Sequence, residues 1–135
     1  MIGVFADSFY FIALLNPTDQ FHAEAVRFSG TTRHRLVTTT WVLVEVADAL
    51  CGPKSRRLVR QAFDSIAAHP RTTVIEADTA WYARGLALYG ARADKAWSLT
   101  DCISFEVMRE HGLIDALTGD HHFEQAGFRA LLRPA

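Results

Sequence analysis

The chain has 135 residues, half of them apolar and 21% charged, the make-up of one folded domain with a real core, which excludes a disordered or low-complexity protein. Its net charge of −1 and pI near 6.6 exclude a general electrostatic pull toward nucleic acid, so any such binding has to come from a local patch or a metal. The run "FYFIALL" (9–15) is too short to span a bilayer and is preceded by Asp7 rather than a basic segment, which argues against a membrane span or signal peptide and predicts a cytoplasmic protein with no membrane partner.

Residues 2–6, "IGVFA", predict a buried strand that breaks at Asp7-Ser8, and either of those residues can cap a helix over 9–15. Asn16-Pro17 ends that helix, and Thr18 or Asp19 opens another through "HAEAVRFSG". "RLVTT" (35–39) predicts a second strand, after which Thr39 or Thr40 caps "WVLVEVADAL", stopping at Gly52-Pro53. A helix with Pro53 in its first turn is expected to run to Pro70. "TTVIE" (72–76) predicts the third strand, followed by a helix over about 78–92. "WSLTDCISFEVM" begins a helix with apolar groups on most sides, which ends at Gly112, a C′ glycine. "IDALTGD" (114–120) is expected as a strand, "HHFEQAG" as a short helix and "FRALL" (128–132) as a fifth strand. Strands separated by helices predict one α/β domain over 1–135, with a central, mostly parallel five-stranded sheet covered on both faces. Cys51 and Cys102 lie in helical patterns without metal-type spacing and are expected as reduced core residues.

The acids stand out against this frame. In an open α/β sheet, functional groups gather at the carboxyl ends of the strands. Asp7 follows the first predicted strand, Asp120 the fourth, and Asp101 opens the helix leading into the fourth. Glu45 interrupts an apolar segment of the helix after the second strand. Each has a purely structural explanation: Asp7 and Asp120 as helix caps, Asp101 with Ser98 as a capping box, Glu45 as part of a solvated stripe with Asp48. Together they are harder to dismiss, because four converging carboxylates without counter-charge repel one another. An oxygen-binding divalent cation, Mg²⁺ or Mn²⁺, removes that conflict and suits phosphodiester hydrolysis.

At these residues the sequence resembles the PIN-domain ribonucleases, especially the VapC-like toxins of toxin–antitoxin pairs. The matching pieces are "VFADSFYFIALL", "TTTWVLVEVADAL", "WSLTDCISFEVMREHGL" and "DALTGDHHFEQAGF", in the family's order and spread over nearly the whole chain. The resemblance implies a three-layer α/β/α fold and a metal-dependent endoribonuclease. Asp7, Glu45, Asp101 and Asp120 would be its catalytic acids, with Asp7, Asp101 and Asp120 as ligands of Mg²⁺ or Mn²⁺. Glu45 would bind directly or orient metal-bound water, and hydroxyls of Ser8, Ser98 or Thr100 would hold the ligands. It further implies an RNA substrate, a cognate antitoxin and a homodimer. A solitary PIN nuclease in RNA processing, or a non-catalytic α/β binding module, are the alternatives.

Other features read more plainly. Arg56, Arg57 and Arg60 share a helix face, read first as solvated surface and second as a phosphate track. Arg33, His34 and Arg35 suit a surface turn. His121-His122 beside Asp120 lack further zinc ligands, leaving a turn or a phosphate contact. Trp81, Leu88 and Tyr89 are expected in core packing. A receiver domain would need an acidic pair after the first strand and a lysine near the last, and a haloacid-dehalogenase-type phosphatase would need D-x-D; "FADSF" and "FRALL" meet neither pattern.

Overall fold

A computed structural model describes residues 3–31 and 33–133. The apolar run Gly3–Ala6 forms strand β1, and Ile2, expected in the same strand, lies outside the described residues. Chain order continues with α1 (Ser8–Leu15), α2 (His22–Ser29), β2 (Arg35–Thr39), α3 (Thr40–Ala49), α4 (Arg56–Ala68), β3 (Thr72–Ile75), α5 (Thr79–Ala91), α6 (Leu99–Glu110), β4 (Asp115–Leu117), α7 (His121–Gln125) and β5 (Arg129–Ala130). The five strands form one parallel sheet in the order β3-β2-β1-β4-β5.

That order explains the three layers. Parallel crossovers are right-handed, so the steps from β1 to β2 to β3 carry α1–α4 on one face. The reversed direction toward β4 and β5 carries α5–α7 on the other. Packing follows the same division: α1 lies on α2 and α3, and α3 on α4, whereas α5 lies on α6 and α6 on α7. The reversal falls between β1 and β4, which opens a crevice beyond their carboxyl ends.

The helix α6 is the central support of its layer. It buries Cys102, Ile103, Ser104, Phe105, Val107 and Met108. Phe105 packs edge-on against Phe123 at 4.9 Å and Trp97 at 5.0 Å, and burying each such ring contributes about 1.5–3 kcal/mol. α5 approaches closely at Gly85, where a Cβ would stand 2.2 Å from Ile103 Cγ1 and 3.1 Å from its backbone. α6 ends as expected: Gly112 takes φ +64, and the Leu113 and Gly112 amides donate to Met108 and Arg109 carbonyls at 2.8 and 3.2 Å.

Several expected boundaries move. The helix expected from Pro53 begins only at Arg56, because Pro53 enters a turn in which the Ser55 amide donates to Gly52 O at 3.0 Å. α2 is capped by Phe21, not Thr18 or Asp19; Asp19 instead accepts from the Phe21 amide at 2.8 Å. The fourth strand stops at Leu117 instead of running to residue 120, since the Thr118 amide turns back to Ala116 O at 3.0 Å. Regular β5 spans only Arg129–Ala130, although Leu131 and Leu132 amides continue to bond the β4 segment. Cys102 is a buried free thiol as expected, but Cys51 is exposed because α3 has already ended at Ala49.

Candidate active site

The four predicted acids reach the carboxyl edge of the sheet for different reasons. Asp7 is the residue after β1, and Glu45 lies in the second turn of α3, which starts directly after β2. α6 runs back from that edge to the start of β4, so its first turn carries Asp101 there. Asp120 caps α7 just past the turn that ends β4. The carboxylates interact across the crevice: the charges of Asp101 and Glu45 both act on Asp7, and Asp120 acts on Asp101 and Glu45.

Each carboxylate is fixed by one oxygen. Thr118 Oγ1 donates to Asp7 Oδ2 at 2.9 Å, and Ser8 Oγ to Glu45 Oε1 at 2.8 Å. Asp101 Oδ2 accepts from the Ser98 amide at 3.2 Å and from His122 Nδ1 at 3.2 Å. Asp120 Oδ1 accepts from the His122 amide at 2.9 Å and lies 3.4 Å from His122 Nδ1. Among the described residues the second oxygen of each takes no side-chain donor. The capping explanations are therefore true for Asp101 and Asp120, yet employ only half of each carboxylate. For Asp7 they fail: it holds the N-cap position, but its side chain makes no cap bond. The solvated-stripe explanation fails for Glu45, which is half-buried and tied to Ser8. Ser8 holds Glu45 through its hydroxyl as expected, but Ser98 holds the Asp101 carboxylate through its backbone amide while its hydroxyl accepts from the Asp101 amide, and among the described residues Thr100 bonds no acid.

The electrostatics are strained in the direction expected of a cation site. Desolvation, with the Asp101 and Glu45 charges added, pushes the Asp7 carboxyl up to about 7, even though Thr118 and the Ser8 amide pull it down. Burial also raises Asp101, opposed by Ser98 and His122, and raises Glu45, opposed by Ser8. No arginine or lysine pairs with any of the four acids among the described residues; only His121 and His122 approach. Asp7 is only 4% exposed and Asp101 8%, so water alone compensates this charge poorly.

A donor set of carboxylate oxygens, each pre-oriented and short of positive partners, fits a hard divalent cation. The acids stand apart rather than in a closed cage. Among the described residues, the group whose ligand atoms all fall within 4.8 Å is Asp120, His121 and His122. That trio is three consecutive residues of which only His121, with Nδ1 3.7 Å from Asp120 and 73% exposed, lies open to solvent, and it lacks the fourth ligand of a structural zinc site. A wider oxygen site is the pattern suited to Mg²⁺, which keeps several of its waters.

Comparison with known proteins identifies the family and the fold. The model of the PIN domain family matches residues 4–129. The chain belongs to the PIN domain family. Its structure also superposes on that of Mycobacterium tuberculosis VapC20, a sarcin–ricin-loop-cleaving toxin, with a TM-score of 0.86 at 24% identity, covering 96% of this chain and 99% of the other. No curated protein matches by sequence. The crevice between β1 and β4 is thus where this PIN domain gathers its acids.

Sequence reasoning misses one contributor and gives another a different role. Thr118, 111 residues from Asp7, has no signal beyond its place two residues before Asp120. His122 was considered as a phosphate contact or a turn residue, and it instead ties Asp101 to Asp120. The remaining features are peripheral. Arg56, Arg57 and Arg60 are exposed, with Arg60 paired to Asp64 at 3.3 Å and Arg56 Nε donating to Cys51 O at 2.7 Å. Trp81 and Leu88 pack on the core as expected, but Tyr89 is 51% exposed.

Proposed function

We propose that this chain is a metal-dependent endoribonuclease and the toxin of a toxin–antitoxin pair. One observation carries the proposal: four carboxylates lie around the switch point of the sheet, near enough to act on one another's charge, each held by one oxygen and, among the described residues, none paired with a lysine or arginine. A non-catalytic module has no reason to maintain that repulsion. The likeness to a sarcin–ricin-loop-cleaving toxin supports the toxin role.

Asp7, Asp101 and Asp120 would hold Mg²⁺ or Mn²⁺, with Glu45 binding directly or orienting water. When bound, such an ion supplies an activated water and charge stabilisation at the phosphate. The chain's own contribution is preorganisation. Thr118 and Ser8 lock the Asp7 and Glu45 side chains from opposite sides of the crevice. His122 keeps the Asp101 and Asp120 carboxylates in register, and the Ser98 box fixes Asp101 on a rigid, buried helix. Without a cation the Asp7 carboxyl sits near 7, so Asp7 has to release that proton to serve as a ligand. None of these groups engages a ribose 2′-hydroxyl by necessity, so preference for RNA arises outside the acids.

A cognate antitoxin would close this crevice with a cation, and a homodimer would use exposed apolar surface such as Tyr82 and Leu86 on α5, both 44% exposed. Among the described residues no helix is long and apolar enough to cross a membrane.

The test is cleavage of total cellular RNA with Mg²⁺ or Mn²⁺ against chelator, for wild type and Asp101→Ala. Metal-dependent fragments from wild type alone support the reading, and absence of any metal-dependent cleavage refutes it. Growth arrest on expression, relieved by the adjacent gene product, separates a toxin from a solitary RNA-processing nuclease.

A further inference from the structure

An anionic centre offers an RNA strand no hold of its own, so the groups that grip the strand have to lie beside it. Next to it is a groove of about 840 Å³ lined by Tyr89, Arg92, Lys95, Trp97 and Ser98 among others, within the roughly 300–1,000 Å³ typical of small-ligand clefts. Ser98 joins the two. Its Oγ accepts from the Asp101 amide at 3.0 Å, and its own amide donates to Asp101 Oδ2 at 3.2 Å.

The groove is built, not incidental. Trp97 is buried and fixed by Nε1 donating to Gln125 Oε1 at 2.9 Å. The Arg92 guanidinium lies 5.1 Å from the Trp97 ring centroid and holds Asp94 through two hydrogen bonds, each 3.0 Å. Arg92 and Asp94 thus cancel one another and shape the loop. Lys95 has no ion pair among the described residues and supplies the uncancelled positive charge. Tyr89, in the last turn of α5, presents its ring at 51% exposure on the same rim.

We propose that this groove is a nucleotide subsite of the RNA-cleaving centre, with Lys95 contacting a phosphate and Tyr89 stacking on a base. The proposal rests on the nuclease reading above and deepens it by naming the residues outside the acids that hold the strand. A base free to stack on a side chain is unpaired, so the substrate is single-stranded RNA or the loop of a hairpin. A second copy of the chain is the competing occupant, because Tyr82, Leu86 and Tyr89 are spaced as one stripe of α5 and all are exposed. A concave surface that bears a lysine without an ion pair among the described residues and shares Ser98 with the Asp101 capping box favours RNA, since lysine is depleted at protein–protein interface centres.

The test uses the full chain, a labelled mixed-sequence single-stranded RNA and the same RNA annealed to its complement. Binding is followed by anisotropy across a salt series, cleavage at saturating RNA, and mass by light scattering. Lys95→Ala is expected to weaken single-strand binding several-fold and to reduce the salt slope by about 0.7, the value for one lost phosphate contact. Tyr89→Ala is expected to weaken it about tenfold, with recovery in Tyr89→Phe. The melting temperature stays at the wild-type value in all three, which separates lost binding from lost folding. The subsite is overturned if wild type does not bind single-stranded RNA, or if both alanine variants bind it as wild type does. It is equally overturned if Tyr89→Ala changes only the oligomeric mass, which assigns the stripe to a second copy. Binding that responds as expected in a wild-type protein that never cleaves RNA supports the subsite and refutes the nuclease reading, so the two fail separately.

Discussion

Replacing Asp7 with asparagine should stabilise the metal-free protein while abolishing its response to metal. Asp7 is 4% exposed, and its carboxyl is pushed from the ordinary 3.8 to about 7, first by burial and then by the Asp101 and Glu45 charges. The folded state therefore holds a proton on Asp7 over the window in which the unfolded state has released it. Stability from this group is complete below about pH 4, declines as pH rises and is lost above about pH 7. A shift of roughly 3 units at about 1.36 kcal/mol each sets an upper value of about 4 kcal/mol. Asparagine cannot ionise, yet its carbonyl oxygen still accepts from Thr118. In chelator at about pH 8, Asp7→Asn should exceed wild type by about 2–4 kcal/mol, or roughly 6–15 °C in Tm for a chain of this size. At about pH 5 the gap should fall to less than half, because the folded wild type is then mostly protonated. Saturation with Mg²⁺ or Mn²⁺ should raise the wild-type Tm, by an amount equivalent to about 2.7 kcal/mol at a hundredfold excess over Kd, and leave the variant unmoved. The measurement is thermal unfolding across pH, with and without metal. Equal stability of the two proteins in chelator at about pH 8, or a gap that widens toward acid, would refute the reasoning.

Three further outcomes follow from the contacts around that site. His122→Ala should raise the metal concentration needed for half-maximal thermal stabilisation by about 10–100-fold, the usual loss when a ligand's supporting group is removed. His122→Asn, whose amide can still donate from near the Nδ1 position, should recover part of it. Thr118→Val removes the donor to Asp7 and the acceptor of the Asp120 amide, costing about 1–3 kcal/mol in denaturant unfolding. The same change raises the Asp7 carboxyl further, so the acid limb of the pH–rate profile should move to higher pH. Gly85→Ala should destabilise by about 1–3 kcal/mol despite its better helix propensity, because the new methyl would stand 2.2 Å from Ile103 Cγ1; unchanged unfolding would show that α5 and α6 part easily.

The portions of this molecule legible in its sequence are those governed by local rules. Alternating strand and helix patterns lead directly to the parallel sheet, and Thr39 and Ser98 cap the helices their positions announce. The four acids were visible because each departs from its local pattern next to a strand end or within an apolar helix. What local rules cannot reach is orientation across the crevice. Whether Thr118 faces Asp7 depends on where β4 leaves the sheet, and the chain turns out there with its last apolar residue, Leu117, three residues before the expected strand end. Whether His122 or His121 faces inward depends on the rotation of α7, a five-residue helix whose sequence offers both.

The caps at Asp101 and Asp120 sharpen this point, because a structural role and a chemical role fall on the same side chains. A cap requires one oxygen, and in both residues the donors converge on a single one: Oδ2 of Asp101 and Oδ1 of Asp120. A monodentate ligand also requires one oxygen. Counting capping residues can therefore never decide between support and catalysis at such positions. Asp7 decides it, since its backbone occupies an N-cap position while its side chain turns away toward Thr118 and remains costly to ionise. A carboxylate that neither caps its helix nor pairs with a cation, yet is buried among three others, has no structural benefit to offset that cost. The balance changes only when a positive charge enters the crevice, and so Asp7, more deeply buried than Asp101, is the residue on which the metal proposal stands or falls.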